Sequence, residues 1–227
     1  MSDRVEVAPN NLSLLDPLFT SPITHLTGGP ATGKSLLLLY YLGYRALHHN
    51  ERILWVDAGG SFFPSRVRIL FGQVAPLVLA RILVARVDSL PALKVIASEL
   101  VSSGNLARSS YVVVDPISRL PRFVFSASVH SAAQGRYVSE DFFMNVIEPL
   151  VVSATRDAVK IILVHEQSRD HPFWWDRYPA RHCRVHLQPD PLDPFSRVIY
   201  NGKGEQVAIL DLHRHPVVLK LRQQTVY

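Results

Sequence analysis

Cysteine is nearly absent from this chain of 227 residues, with Cys183 standing alone. A single thiol excludes an intrachain disulfide framework and fits a reducing compartment. Lysine is scarce beside arginine, so the formal charge of +5 is carried mainly by guanidinium groups. That modest basic excess permits contact with nucleic acid without establishing it. Long apolar runs are missing too: no stretch of about eighteen apolar residues free of charges or breakers occurs, which excludes a spanning helix. Residues 1–10 include Asp3, Arg4 and Glu6 and lack the basic-then-apolar layout of a secretion signal. A cytosolic protein without a membrane partner is expected, nucleoid-associated if the source is prokaryotic. Internal repeats and low-complexity tracts are absent as well.

What is present is ordinary globular composition, 48% hydrophobic and 19% charged. The length is enough to bury one sizeable α/β core and too little for two. We therefore expect a short N-terminal segment, residues 1–22, followed by a single domain over residues 23–227.

The most specific motif is Gly28-Gly29-Pro30-Ala31-Thr32-Gly33-Lys34-Ser35, which fits G-x-x-x-x-G-K-[ST]. Glycines let consecutive backbone N–H groups curl around phosphates, Lys34 offers a point charge to the β and γ oxygens, and Ser35 offers a hydroxyl to Mg²⁺. A helix opening at Lys34 adds its positive dipole end. The context agrees, because residues 23–26 form a short apolar run and residues 34–48 are rich in helix formers. ATP and Mg²⁺ are the implied ligands.

Further along, residues 53–57 read as a buried strand, 64–73 as a helix with proline at its start, 82–87 as a strand and 90–103 as a helix. Tyr111-Val112-Val113-Val114-Asp115 is a β-branched run closed by Pro116. Residues 119–139 read as a long loop, 140–157 as a helix, 159–164 as a buried strand and 166–181 as a second irregular segment. The tail alternates as strands at 184–187, 198–200, 207–210 and 217–221, with Asn201-Gly202 as a hairpin turn. A mostly parallel sheet flanked by helices, with an antiparallel C-terminal extension, follows from this order. A P-loop also needs an acidic residue at the end of a neighbouring strand to hold hydrated Mg²⁺, and Asp115 supplies one.

Three segments together resemble the core of the RecA/RadA recombinases: Ile23-Thr24-His25-Leu26 before the P-loop, Trp55-Val56-Asp57-Ala58-Gly59-Gly60-Ser61-Phe62, and Val113-Val114-Asp115-Pro116-Ile117-Ser118. The resemblance implies a RecA-like P-loop fold. It places Arg66, in Phe63-Pro64-Ser65-Arg66, near the adenine, and makes Gln167, in His165-Glu166-Gln167, the sensor of the γ-phosphate. Two departures matter. The family's water-activating glutamate falls on Gly59, which has no side chain, so the general-base contribution of about 10²–10⁴ in rate is expected to be missing unless Asp57, Glu166 or a partner supplies the carboxylate. Residues 1–22 also lack the Phe-x-x-Ala segment by which family members build filaments. The chain thus resembles the short, core-only paralogues of the RadB type, which act as accessories in recombination and DNA repair. An oligomer or heterodimer with a recombinase or mediator protein is implied, and a long filament is not.

In that family the segments after the Asp strand and after the sensor strand line a DNA channel. Here they contain Arg119, Arg122, Arg136, Arg169, Arg177 and Arg181 among Phe123, Phe125, Trp174, Trp175 and Tyr178. Guanidinium groups neutralise phosphates and rings stack on bases, as single-stranded DNA binding requires. The same residue types are enriched at protein interfaces, so a protein partner fits them as well. The expected activity is that of an ATP-binding recombination accessory with impaired hydrolysis. The rivals are an active single-stranded-DNA-dependent ATPase, a subunit that docks a partner and binds no DNA, and a small-molecule kinase, for which a lid and an acceptor-site arginine cluster are not evident. His182-Cys183-x-x-His186 is not a metal motif in an extended strand, where neighbours point to opposite faces.

Overall fold

The computed structural model describes residues 9–102, 109–121, 124, 132–166, 182–211 and 218–221. Arg122, Gln167, Arg169, Trp174, Trp175, Arg177 and Arg181 lie outside these, as do Phe123, Phe125 and Tyr178.

The described chain alternates strand and helix through its first two-thirds. β1 (Ile23–Gly28) leads into α1 (Lys34–His49), and β2 (Ile53–Asp57) into α2 (Pro64–Phe71) and the short α3 (Ala75–Leu79). β3 (Ile82–Arg86), α4 (Leu90–Ser102) and β4 (Tyr111–Asp115) follow. A helical run then comprises α5 (Ala132–Phe142), a π-helical turn (Phe143–Ile147) and α6 (Glu148–Arg156) before β5 (Lys160–Val164). Four strands close the described part of the chain: β6 (His182–Pro189), β7 (Ser196–Tyr200), β8 (Gln206–Asp211) and β9 (Val218–Leu221).

Among the described residues all nine strands share one sheet in the order β3-β2-β4-β5-β1-β6-β7-β8-β9. Pairing is parallel from β3 to β6 and antiparallel from β6 to β9. The expected parallel sheet with an antiparallel extension is thus present. Strands β1 and β4 are buried along their whole length; β4 is the near-continuous apolar run expected in a sheet covered on both faces, whereas β1 also buries Thr24, His25 and Thr27.

Period-two alternation divides the sheet's side chains between two cores. Leu26, Trp55, Val113, Ile162 and Val185 face α1, α2 and the 3-10 segment Pro9–Phe19. Val56, Val112, Val114, Ile161 and Leu163 face α4, α6 and the π-helical turn. Residues 9–19 belong to the first core, with Leu12, Leu15, Leu18 and Phe19 buried. Phe19 stacks on Tyr41 with ring centroids 4.6 Å apart, and the Tyr41 hydroxyl donates to Asp16 at 2.8 Å. Among the described residues no helix is long and apolar enough to cross a membrane.

Three local readings need correction. Residues 119–139 are not one long loop: 119–121 are helical and α5 begins at Ala132. α5 is polar and contains Gly135, so it carries little apolar periodicity to reveal it. The helix read over 64–73 stops at Phe71, with Gly72 at positive φ, and α3 follows. The hairpin between β7 and β8 is a wider loop than Asn201-Gly202: the Asn201 side chain accepts from the amides of Lys203 and Glu205, and Gly204 takes the left-handed position. An asparagine oxygen that caps its own turn stands in for a two-residue turn here.

Candidate functional site

The P-loop occupies the connection between β1 and α1, two elements fixed by burial. α1 is buried over Leu37 to Gly43. Gly28 lies at φ 152°, where a Cβ would sit 2.9 Å from Thr32 Oγ1 and would collide with the carbonyl oxygen of Leu187 on β6. Only glycine lets β6 pass this close. Ala31 and Gly33 both take left-handed backbone conformations, with Gly33 capping α1. Such a turn aims successive N–H groups into one concavity at a helix N-terminus, the geometry that binds anions. Lys34 is buried and folds over the loop, donating to the carbonyls of Gly28 at 3.0 Å and Gly29 at 2.6 Å. Thr32 Oγ1 donates to the Gly29 carbonyl at 2.9 Å and braces the loop from inside.

Opposite the loop, Asp115 ends β4 and is 2% exposed. Burial pushes its carboxyl up to about 6, against the opposing effect of hydrogen bonds from the Ser35 and Ser61 hydroxyls; the neighbouring Asp57 adds to the rise and Lys34 reduces it. Ser35 and Asp115, far apart in sequence, therefore lie close enough for the Ser35 hydroxyl to act on the Asp115 carboxyl. β5 lies between β1 and β4, and the three strand ends are laced together. Ile117 N donates to the Val164 carbonyl at 2.9 Å, Glu166 N to Ser118 Oγ at 3.0 Å, and His165 N to the Leu26 carbonyl at 2.8 Å.

Asp57 pairs in register with Asp115 on the adjacent strand and is fully buried. It accepts from the amide of Ser61 at 2.8 Å, from Phe62 N at 3.3 Å and from Gly59 N at 3.4 Å. Its carboxylate is thus the frame of the 57–62 turn and not a free base. Ser61 Oγ lies 3.4 Å from Asp57 Oδ1 and 3.3 Å from Asp115 Oδ2; with one hydroxyl proton it can donate to one carboxylate at a time. Ser61 carried no role in the sequence reading. Its signal is local: a serine four residues after an aspartate at a strand end, placed to donate to that carboxylate and close the turn.

Gly59 is packed from the β4 side. A Cβ there would sit 2.6 Å from Pro116 Cδ and 3.4 Å from Arg119 Nη1. Arg119 Nη1 donates to the Gly59 carbonyl at 2.7 Å. The position assigned to a missing glutamate is therefore occupied by the proline ring after the cis Asp115-Pro116 bond and by a guanidinium. Arg66 opens α2, with Nη1 3.4 Å from the Ser61 carbonyl oxygen and its guanidinium over the Phe63 ring at 5.0 Å. Arg136 lies in α5.

The sequence reading missed a row of polar pairs on the face of β1 opposite α1. His25 Nδ1 and His165 Nε2 are 2.9 Å apart, both residues being buried. Thr27 Oγ1 is 2.9 Å from His186 Nδ1. Burial, with Lys34 and Arg184 nearby, holds the His186 imidazole below its ordinary value. Cys183 packs against the opposite core, so the His182-Cys183-x-x-His186 run points both ways across the sheet.

No protein-family model matches the chain, and no curated protein matches it. What the site can do follows from its own residues. Among the described residues no three His, Cys, Asp or Glu side chains form a metal cage. Ser35 and Asp115 instead make a small, oxygen-only donor set, which suits Mg²⁺ shared with phosphate oxygens and water.

Proposed function

We propose that the protein is a RecA-like, ATP-binding accessory of homologous recombination and DNA repair, with weak or absent hydrolysis of its own. The observation that carries the ATP reading is the placement of Ser35, at the end of the P-loop, near enough to Asp115 at the end of β4 to oppose the burial-driven rise in its pKa. It joins a phosphate cradle to a carboxylate that can hold hydrated Mg²⁺. Bound Mg²⁺ would neutralise phosphate charge. Gly28 to Gly33 would supply amides, Lys34 a cation, and Ser35 and Asp115 the protein oxygens around the metal. The strand order supports the RecA-like reading, since a sensor-type strand, β5, separates the P-loop strand from the Asp115 strand.

Weak hydrolysis is supported by the site around Gly59. No carboxylate extends from that turn, Asp57 is committed to backbone amides, and the Pro116 ring fills the approach. ATP would then act as an assembly ligand for a recombinase or mediator partner. Single-stranded DNA and a protein partner both suit the arginine- and tryptophan-bearing segments assigned from the sequence.

Calorimetric titration with Mg²⁺-ATP, together with phosphate release measured with and without single-stranded DNA, tests this. Saturable binding lost in Lys34→Ala and turnover close to background are expected. Rapid turnover abolished by Lys34→Ala would establish the active-ATPase alternative. Binding to DNA that weakens with salt would exclude the pure docking subunit.

A further inference from the structure

Three arginines surround the 57–62 turn, and the strand order separates their roles. Arg86, at the end of the edge strand β3, approaches Asp57 Oδ2 at 3.7 Å from the side far from the P-loop. Arg66 touches the Ser61 carbonyl from α2. Arg119 follows β4, the strand that ends in Asp115, so it approaches the turn from the β4 side, the side nearer the P-loop strand in the sheet order.

The setting of Arg119 is that of a placed cation. Its neighbours Ile117 and Leu120 are buried in the second core, which fixes the backbone, while Arg119 itself is exposed. One N–H is spent on the Gly59 carbonyl at 2.7 Å, which orients the guanidinium. A guanidinium carries five donors in a rigid fork, and among the described residues no carboxylate pairs with this one. Because Gly59 has no side chain, nothing from the turn covers the guanidinium where it comes within 3.4 Å of that residue's Cβ position. An oriented, exposed guanidinium four residues beyond Asp115, at the same end of the sheet as the P-loop, matches an anion, above all a phosphate able to accept a two-pronged bond.

Resting on the nucleotide-site reading above, we propose that Arg119 is a specificity-determining residue that binds the terminal phosphate of the bound nucleoside triphosphate and so distinguishes ATP from ADP. Gly59 serves this by leaving the guanidinium uncovered, and its carbonyl holds the side chain ready. The residue acts on ground-state recognition. It supplies no proton transfer, in keeping with slow hydrolysis.

Isothermal titration of the full chain with Mg²⁺-ATP and with Mg²⁺-ADP, for the wild type, Arg119→Ala and Arg119→Lys, tests the assignment. Losing a charge-assisted bond to phosphate should weaken ATP binding by roughly ten- to hundredfold while ADP binding stays within about twofold. Arg119→Lys should recover part of the preference, because the charge remains and the fork does not. A purely structural loss, in which the turn loosens, would weaken both nucleotides alike in Arg119→Ala and overturns the proposal. So does an unchanged ATP to ADP ratio. Failure of the underlying reading looks different: the wild type then binds neither nucleotide, or Lys34→Ala binds both as well as the wild type does.

Discussion

Replacing Asp115 by Asn removes a carboxyl group that is 2% exposed and whose pKa burial pushes from 3.8 up to about 6. A rise of that size means that keeping the group ionised in the folded protein at pH 7.5 costs about 3 kcal/mol relative to the unfolded chain. The sign follows from proton counts. Below 3.8 both states hold the proton, and the group's contribution to stability is fully present. As pH rises towards 6 the unfolded chain has released its proton and the folded chain has not, so this contribution is progressively lost. Asn cannot ionise, so Asp115→Asn should be the more stable protein at pH 7.5 without nucleotide or metal. Its advantage over wild type should grow by about 2 kcal/mol between about pH 4.5 and pH 7.5. Urea unfolding, followed by tryptophan fluorescence to which the buried Trp55 contributes, measures it. Adding Mg²⁺-ATP at about a hundred times its dissociation constant should stabilise the wild type by about 2.7 kcal/mol, and the variant far less. A variant less stable than wild type at pH 7.5, or a difference that does not change with pH, refutes the reasoning.

Other perturbations follow from particular contacts. Gly59→Glu should not raise ATP turnover and should lower the melting temperature, because its Cβ would lie 2.6 Å from Pro116 Cδ; faster phosphate release in this variant would show that the turn opens to admit a carboxylate. Gly43 lies on α1 against the rim of the buried Phe71 ring, so Gly43→Ala should cost about 1–2 kcal/mol in urea unfolding, overpacking outweighing the helix propensity gained. The depressed His186 makes the folded state release its proton at lower pH than the unfolded chain. Its contribution is therefore present above about 6.5 and lost as pH falls through the folded value. His186→Gln should flatten the acid-side slope of the urea midpoint, and an NMR titration of His186 should move upward in Lys34→Ala; a titration unmoved in that variant would separate the imidazole from the P-loop.

Much of the framework was legible in the sequence because its causes are short-range. The P-loop is eight consecutive residues whose conformations are dictated by glycine and by the start of α1, and β-branched runs such as 111–115 form buried strands wherever they lie. Their alternation with helices implies a mostly parallel sheet through right-handed crossovers. Asp115 could be nominated because it ends such a run. α5 was hidden for the converse reason: a polar helix has no apolar stripe to read.

What only the tertiary structure decided was which strand ends meet. Placing β5 between β1 and β4 brings Ser35 onto Asp115, and the parallel register of β2 with β4 sets Asp57 beside Asp115 with Ser61 between them. The same register puts Pro116 and Arg119 against Gly59, so a glycine that read as a missing carboxylate became a place reserved for a proline ring and a guanidinium. His25 with His165 and Thr27 with His186 are likewise pairs across strands. Local sequence fixes which way a side chain points within its own strand, whereas its partner depends on sheet order and on registers between segments distant in the chain. Those are settled by the packing of the whole domain, and no window of the sequence contains them.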